Sequence, residues 1–357
     1  MSSALPLADG EKELLTHIQD KKTPSYRQAY SDRTAWLMAC LSELAYQPFE
    51  RLSEDLTKQR LQEKLSTLLN EETRGALDEI VRSIFEKDDA EATNNFLKMA
   101  EFEILETYDT GGTQALLLSS HKHLTLAFRG TEATSLQDIK TDLKAEITEC
   151  PSGGSLHSGF IEAFDLVEQE ILNDLNKHND KEKPLFLTGH SLGGALATIA
   201  AKRLQQHYNI AACYTFGSPR VGNIKWFNRV KTPVYRVVNA SDCVTMLPPA
   251  ASVMFSLLWI FRLVSFILPT PVRSLLKNVE GWLKKFQGYW HYGDIRFLTP
   301  CGKANYEDVN LLAGQISIFQ RFRMWKRSKS RLERFVKDHS ISVYRKKLAV
   351  IAIQRNS

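Results

Sequence analysis

Gly189-His-Ser-Leu-Gly193 holds the residue types needed to present a serine as a nucleophile. Ahead of it, Leu185 to Thr188 reads as an apolar strand, and behind it Gly194-Ala-Leu-Ala-Thr198 is a run of small residues suited to a closely packed helix. Strand, G-x-S-x-G and helix in that order form the pattern of a nucleophile elbow. Gly189 and Gly193 remove Cβ atoms where a sharp strand-to-helix turn would bring atoms into collision. The hydroxyl of Ser191 is then lifted clear at a helix N-terminus. There the Leu192 backbone N–H is available to a developing oxyanion, and the helix dipole favours negative charge. The chemistry expected is attack on an acyl carbonyl. A glycine-rich turn with an incidental serine would share the pentapeptide but not its flanking strand and helix.

A serine hydroxyl needs a base to take its proton, and the base needs an acid to orient it. In chains with this elbow the order is serine, then acid, then histidine. His17, His121, His123, His157 and His178 precede the serine and His190 adjoins it, so chain order disfavours all six. His207 lies at the end of the elbow helix, which leaves His291 and His339. For the acid, Asp242 stands just beyond the strand pattern Pro233-Val-Tyr-Arg-Val-Val-Asn239, and loops at the C-terminal ends of parallel strands are where such sheets keep their chemistry. A turn aspartate capping local backbone is the competing reading, with Asp294 and Asp308 as alternative acids.

These residues need a scaffold, and the pattern supplies one. Trp36, Leu37, Cys40, Leu41, Leu44 and Ala45 recur at helical spacing and Pro48 stops the helix. Further helical patterns run from Leu52 to Met99. Strand patterns at 102–108 and 113–119 flank Asp109-Thr-Gly-Gly112, a hairpin signal, and a third strand at 123–128 ends in Arg129-Gly-Thr131. A helix to about Asn176, the elbow, and strands at 211–216 and 233–239 follow. Strands alternating with helices predict a mainly parallel central sheet flanked by helices. The expected organisation is a loose arm over 1–30, a helical N-terminal extension over 31–100 packed on the core, and an α/β domain over 101–349 with an insert at 250–288.

With 357 residues at 43% hydrophobic, the chain can bury a large core. A net charge of +5 is too small for its length to imply nucleic-acid binding. Cys40, Cys150, Cys213, Cys243 and Cys301 are scattered, with neither a disulfide framework nor metal-ligand spacing. The first residues lack a basic stretch followed by an apolar one, so a cytoplasmic location or leaderless export is expected.

Five blocks together resemble the class 3 lipases, the family of the filamentous-fungal triacylglycerol lipases. They are Phe128-Arg-Gly-Thr-Glu132, Leu156-His-Ser-Gly-Phe160, Gly189-His-Ser-Leu-Gly-Gly194, Tyr214-Thr-Phe-Gly-Ser-Pro-Arg-Val-Gly222, and Arg236-Val-Val-Asn-Ala-Ser-Asp242 with Leu247-Pro-Pro249. The resemblance implies an α/β-hydrolase fold and a triad of Ser191, Asp242 and a late histidine. Asp338-His-Ser-Ile-Ser-Val-Tyr344 matches the family's histidine segment, so it assigns the base to His339 and a structural role to His291. It also implies an oxyanion hole built from the Thr131 and Leu192 amides, a structural Arg129, and a lid helix corresponding to 134–144. The implied activity is serine-dependent hydrolysis of carboxylic esters of lipids, such as acylglycerols, with no cofactor or metal and no obligate protein partner.

One stretch departs from that pattern. Val253 to Leu268 is almost uniformly apolar, interrupted by Arg262. After Pro269-Thr-Pro271, an apolar face of Val272, Leu275, Leu276, Val279, Leu283 and Phe286 alternates with basic residues. Residues 253–286 are therefore expected to dock on a membrane or lipid-droplet surface, against the alternative that both helices pack on the core. A basic run over 321–334, with Phe322 and Trp325 interleaved, suits anionic headgroups better than nucleic acid. A phospholipase A1 acting at membranes, an exported phospholipase effector and a catalytically silent lipid-binding protein are the rival readings.

Overall fold

The computed structural model describes residues 7–20, 28–48, 90–131, 147–151, 153–178, 183–250, 256, 259–260, 288–314 and 337–355. In chain order the described strands are β1 (Glu103–Thr110), β2 (Thr113–Ser119), β3 (Leu124–Phe128), β4 (Ile147–Glu149), β5 (Ser155–His157), β6 (Leu185–His190), β7 (Ile210–Phe216), β8 (Val234–Asn239), β9 (Asp294–Leu298) and β10 (Leu311–Ala313). The described helices are α1 (Asp9–Asp20), α2 (Asp32–Leu44), α3 (Ala90–Ala100), α4 (Ser158–Lys177), α5 (Leu192–Arg203) and α6 (Ile341–Gln354).

Eight strands form one sheet in the order β1-β2-β3-β6-β7-β8-β9-β10, and β4 pairs with β5 separately. The run β3-β6-β7-β8-β9 is parallel, while β1 and β2 at one edge and β10 at the other are antiparallel. The β1–β2 hairpin closes through Gly111 and Gly112, both at positive φ (57° and 82°), as a two-residue turn of that hand requires. With the elbow between β6 and α5, this is an α/β-hydrolase fold with a mainly parallel sheet.

Both faces of the sheet are covered, which is why its central strands are apolar on both sides rather than alternating with polar residues. Leu116 and Leu118 of β2 belong to a core shared with α1, α2, α3 and α6. Ala115 and Leu117 of the same strand turn the other way, into a core shared with α4 and α5. α2 and α5 are the innermost helices, and each is buried nearly all round. Ser31 caps α2 by accepting from the Thr34 amide at 3.4 Å, which begins the helix one residue before Arg33.

The N-terminal arm is not loose throughout. Residues Asp9–Asp20 form α1, with Leu14, Leu15 and Glu11 buried against the domain. The reason lies far along the chain: Arg345 of α6 donates to Glu11 and, through Nε, to Glu43 Oε2 at 2.5 Å, while Trp36 Nε1 donates to Glu11 Oε1 at 3.2 Å. The helical patterns of 52–85, the lid stretch 134–144 and the basic run 321–334 lie outside the described residues, as does the insert apart from Ser256, Trp259 and Ile260. Among the described residues no helix is long and apolar enough to cross a membrane.

Candidate active site

Ser191 sits between the last residue of β6 and the first of α5 with φ 56° and ψ −125°, a backbone conformation that only a tightly determined turn sustains. What determines it is close approach on both sides. A Cβ on Gly193 would collide with the Phe128 carbonyl oxygen of β3, and one on Gly189 with the Gly193 carbonyl oxygen. The Ser191 amide donates to the Phe216 carbonyl at 2.9 Å, tying the turn to the end of β7.

From this turn a line of hydrogen bonds runs across the top of the sheet. His339 Nε2 lies 2.9 Å from Ser191 Oγ, and His339 Nδ1 lies 3.0 Å from Asp242 Oδ2. An ionised carboxylate only accepts, so it holds the imidazole proton on Nδ1 and leaves Nε2 as an acceptor for the serine hydroxyl. Asp242 is fully buried at the end of β8, which would be costly without partners. Its Oδ2 also accepts from Tyr344 Oη at 2.6 Å, and its Oδ1 from the Val244 amide at 3.0 Å. Tyr344 Oη in turn accepts from the Asn239 amide at 3.0 Å.

A second set of contacts ties the His339 segment to the Asp242 loop. Asn239 Nδ2 donates to the Asp338 carbonyl at 2.8 Å, and the Ser241 amide to Asp338 Oδ2 at 3.0 Å. Lys347 Nζ donates to Asn239 Oδ1 at 2.7 Å and to the Thr299 carbonyl at 2.9 Å, so α6 holds the asparagine that holds the loop.

A cleft of about 290 Å³ opens beside the elbow, lined by Thr113, Gln114, Arg129, Gly130, Thr131 and Leu192 among others. Thr131 at the end of β3 and Leu192 at the start of α5 thus border one space. The Leu192 amide is the first of the helix and has no carbonyl one turn back to bond. Arg129 Nη1 reaches the Gln47 carbonyl at 3.4 Å and its guanidinium lies 5.7 Å above the Tyr46 ring.

The alternative residues are placed elsewhere. His291 donates from Nε2 to the Thr245 carbonyl at 2.7 Å, fastening the turn that follows Asp242 rather than meeting the serine. Asp308 accepts from the Gly302 and Lys303 amides at 2.7 and 3.3 Å in a surface loop, and Asp294 is exposed at the start of β9. The one group among the described residues that gathers metal-ligand side chains is Glu106, Asp174 and His178. It lies at the far end of α4, where Glu106 Oε1 already accepts from Lys177 Nζ at 2.7 Å and His178 Nε2 at 2.8 Å.

Chain order sets His190 aside as a base, but not as a neighbour of one. It is buried, with Nε2 2.6 Å from the His339 carbonyl oxygen and Nδ1 2.8 Å from Tyr46 Oη. Burial, with a smaller contribution from the adjacent His339, pushes its pKa well below the ordinary histidine value. Nothing in the sequence marks this pairing, because the group contacted is a main-chain carbonyl 149 residues away.

A buried serine at this elbow, in line with a histidine and an aspartate brought in from the segment before α6 and the loop after β8, has the arrangement of a serine-hydrolase site on an α/β-hydrolase sheet. Residues 125–252 match the family model described as Lipase (class 3). A chloroplastic phospholipase A(1) of Arabidopsis thaliana is 33% identical over 153 residues, 36% of this chain and 34% of that protein. A secreted mono- and diacylglycerol lipase of Fusarium solani is 32% identical over 136 residues, 37% and 41% of the two chains. A lipase of Rhizomucor miehei is 33% identical over 168 residues, 42% and 46% of the two chains. The match therefore spans between a third and a half of each of these relatives. Among solved structures, a Rhizomucor miehei lipase propeptide complex aligns over 65% of this chain and 64% of that one, with a TM-score of 0.46 and 24% identity.

Proposed function

We propose that the protein hydrolyses carboxylic esters of lipids through an acyl-enzyme on Ser191. Ser191 Oγ attacks the ester carbonyl while His339 Nε2 takes its proton, and the same proton passes to the departing alcohol as the C–O bond breaks. Water, deprotonated by His339, then attacks the acyl carbonyl and releases the fatty acid and the free serine. Asp242 holds the imidazole tautomer and faces the imidazolium as it forms. Leu192 and Thr131 line the cleft beside the elbow, and their amides would donate to the oxyanion as it develops, where losing one donor typically costs about 2.7–4 kcal/mol of transition-state stabilisation. The observation that carries this reading is the unbroken line from Ser191 Oγ through His339 to Asp242 Oδ2.

The test is covalent labelling by a fluorophosphonate. The native protein is expected to react, with labelling abolished in Ser191→Ala and lost in His339→Ala but retained in His291→Ala. An unlabelled native protein would leave the lipid-binding alternative instead.

For the substrate, the fungal relatives named as lipases favour acylglycerols, and the plant relative named as a phospholipase A(1) supports membrane phospholipid as a second reading. Comparing fatty-acid release from emulsified triacylglycerol, diacylglycerol and phospholipid vesicles separates them. Contact with a lipid surface through residues 253–286 belongs to the same proposal. Trp259 and Ile260 in that stretch are 65% and 51% exposed, and Ile224 and Trp290 are also exposed apolar side chains. Co-sedimentation with phospholipid vesicles, weakened by Trp259→Ser with Ile260→Ser, is the expected result.

A further inference from the structure

Resting on the triad reading above, we propose that His190 is a positioning residue that holds His339 by its main chain, and that Tyr46 selects the tautomer in which it can do so. Asp242 orients the imidazole of His339 from Nδ1, but a side-chain contact does not by itself fix where the residue's backbone stands. At that backbone, His190 Nε2 lies 2.6 Å from the His339 carbonyl oxygen.

A neutral imidazole carries one N–H and one lone pair. A carbonyl oxygen can only accept, so the proton of His190 is on Nε2 and Nδ1 must be an acceptor. Tyr46 Oη, 2.8 Å from Nδ1, supplies the donor. The other tautomer would point the Nε2 lone pair at the carbonyl oxygen inside a dry core, where an unmade hydrogen bond is costly.

Tyr46 is itself fixed at the end of β3. Its hydroxyl occupies the space that a side chain at position 130 would need, and the Arg129 guanidinium lies over its ring. One phenol therefore touches the strand-end turn beside Thr131 and, through His190, the base. The His190 and His339 rings are 4.6 Å apart, so a charge on His190 would oppose the imidazolium that His339 becomes during the reaction. Burial of His190 keeps it neutral.

The experiment compares His190→Leu, His190→Gln and Tyr46→Phe in the full chain. It measures kcat and KM on soluble p-nitrophenyl butyrate, the rate of fluorophosphonate labelling, and the far-downfield proton resonance of the His339–Asp242 hydrogen bond, with near-UV circular dichroism to verify the fold. Misplacing a reacting group by about 1 Å can cost roughly 100-fold, so His190→Leu should lower kcat and labelling by roughly 10- to 100-fold with KM within about twofold. His190→Gln, whose amide can donate to the carbonyl and accept from Tyr46, should recover most of that loss. Tyr46→Phe should fall between them, and the downfield resonance should shift or broaden in the Leu and Phe variants.

A folded Gln variant as slow as the Leu variant, or Leu and Phe variants with native rates, would overturn the proposal. If His190→Leu does not fold, Tyr46→Phe decides alone, since native rates and an unmoved resonance there remove the role of the pair. A native protein that does not label would sink the serine-nucleophile reading instead, while the resonance still reports whether His190 and Tyr46 position His339.

Discussion

The two faces of the sheet position the same site by different means. Against α4 and α5 the core is mainly apolar, with the small residues of α5 packed among phenylalanines and leucines, and the serine is placed by steric closeness: Gly189 and Gly193 let β3, β6 and α5 approach. Against α1, α2 and α6 the core carries buried polar groups. These are Glu11, Glu43 and Arg345, Ser42 with Thr188, Tyr46 with His190, and Lys347 with Asn239. Ser191 and α5 are consecutive in the chain, so a local turn suffices to place one on the other. His339 and α6 arrive from nearly 150 residues away, and apolar contact is non-directional. Directional hydrogen bonds supply the register that chain continuity cannot.

The largest effect should come from breaking the steric side. In Gly193→Ala the new methyl group would meet the Phe128 carbonyl oxygen, a backbone atom that cannot rotate away. A loss above about 4 kcal/mol, or failure to fold, is expected in chemical denaturation. A folded, active Gly193→Ala protein would show that the close approach of α5 and β3 is not what sets the elbow.

The polar side should break next. Arg345→Met leaves Glu11 and Glu43 buried together without their cation, and removing one partner of such a set typically costs about 3–5 kcal/mol. Adding Glu11→Gln and Glu43→Leu to Arg345→Met should recover much of that loss, since no buried charge is then unpaired. If the triple variant were as unstable as the single one, packing around α6 rather than charge pairing would be the cause.

The same contrast explains what could be read in the sequence. The elbow, the β1–β2 turn and α2 are local patterns, and their glycines and apolar spacing declare them. Ser191 could be named from its elbow and Asp242 from its place after a strand, while the family resemblance of its segment favours His339 over His291; the three lie in one hydrogen-bonded line. α1 could not be found, because two buried leucines in a polar segment do not stand out, and its Glu11 is fixed by a residue 334 positions later. Three-residue strands such as β4 and β10 are too short to show a period. His190, Asn239 and Lys347 escaped for a related reason: their partners are main-chain atoms or distant side chains, which leave no mark on neighbouring residues.

A smaller change tests a single anchor on the polar face. Thr188 on β6 is 2.8 Å from Ser42 Oγ of α2 and reaches the Tyr214 carbonyl at 3.0 Å. Thr188→Val keeps the shape and removes the hydroxyl, which should cost about 1–3 kcal/mol through the polar groups left unpaired. kcat on a soluble ester should stay within about twofold, because the serine turn is held by the glycines on the opposite face. A selective fall in kcat with little change in stability would mean that α2 also sets the elbow, and would weaken the contrast between the faces.

The smallest effect is a slope with pH. Burial, reinforced by the neighbouring Glu11 carboxylate and opposed by Arg345, raises the Glu43 pKa above its ordinary value of 4.5. One arginine neutralises one carboxylate, and the second is left to resist ionisation in a dry core. Between 4.5 and the raised value the folded state binds more protons at Glu43 than the unfolded state does. The stability this group contributes is therefore fully present below 4.5 and is lost as pH rises through the folded-state pKa. Glu43→Gln removes the titration while keeping an acceptor for Arg345. Measured by denaturant unfolding from about pH 4 to about pH 7, the native protein should lose stability relative to Glu43→Gln as pH rises. A native curve that rises relative to the variant would mean that Arg345 depresses the Glu43 pKa after all, and that the buried set is a balanced ion cluster rather than one pair with a reluctant third member.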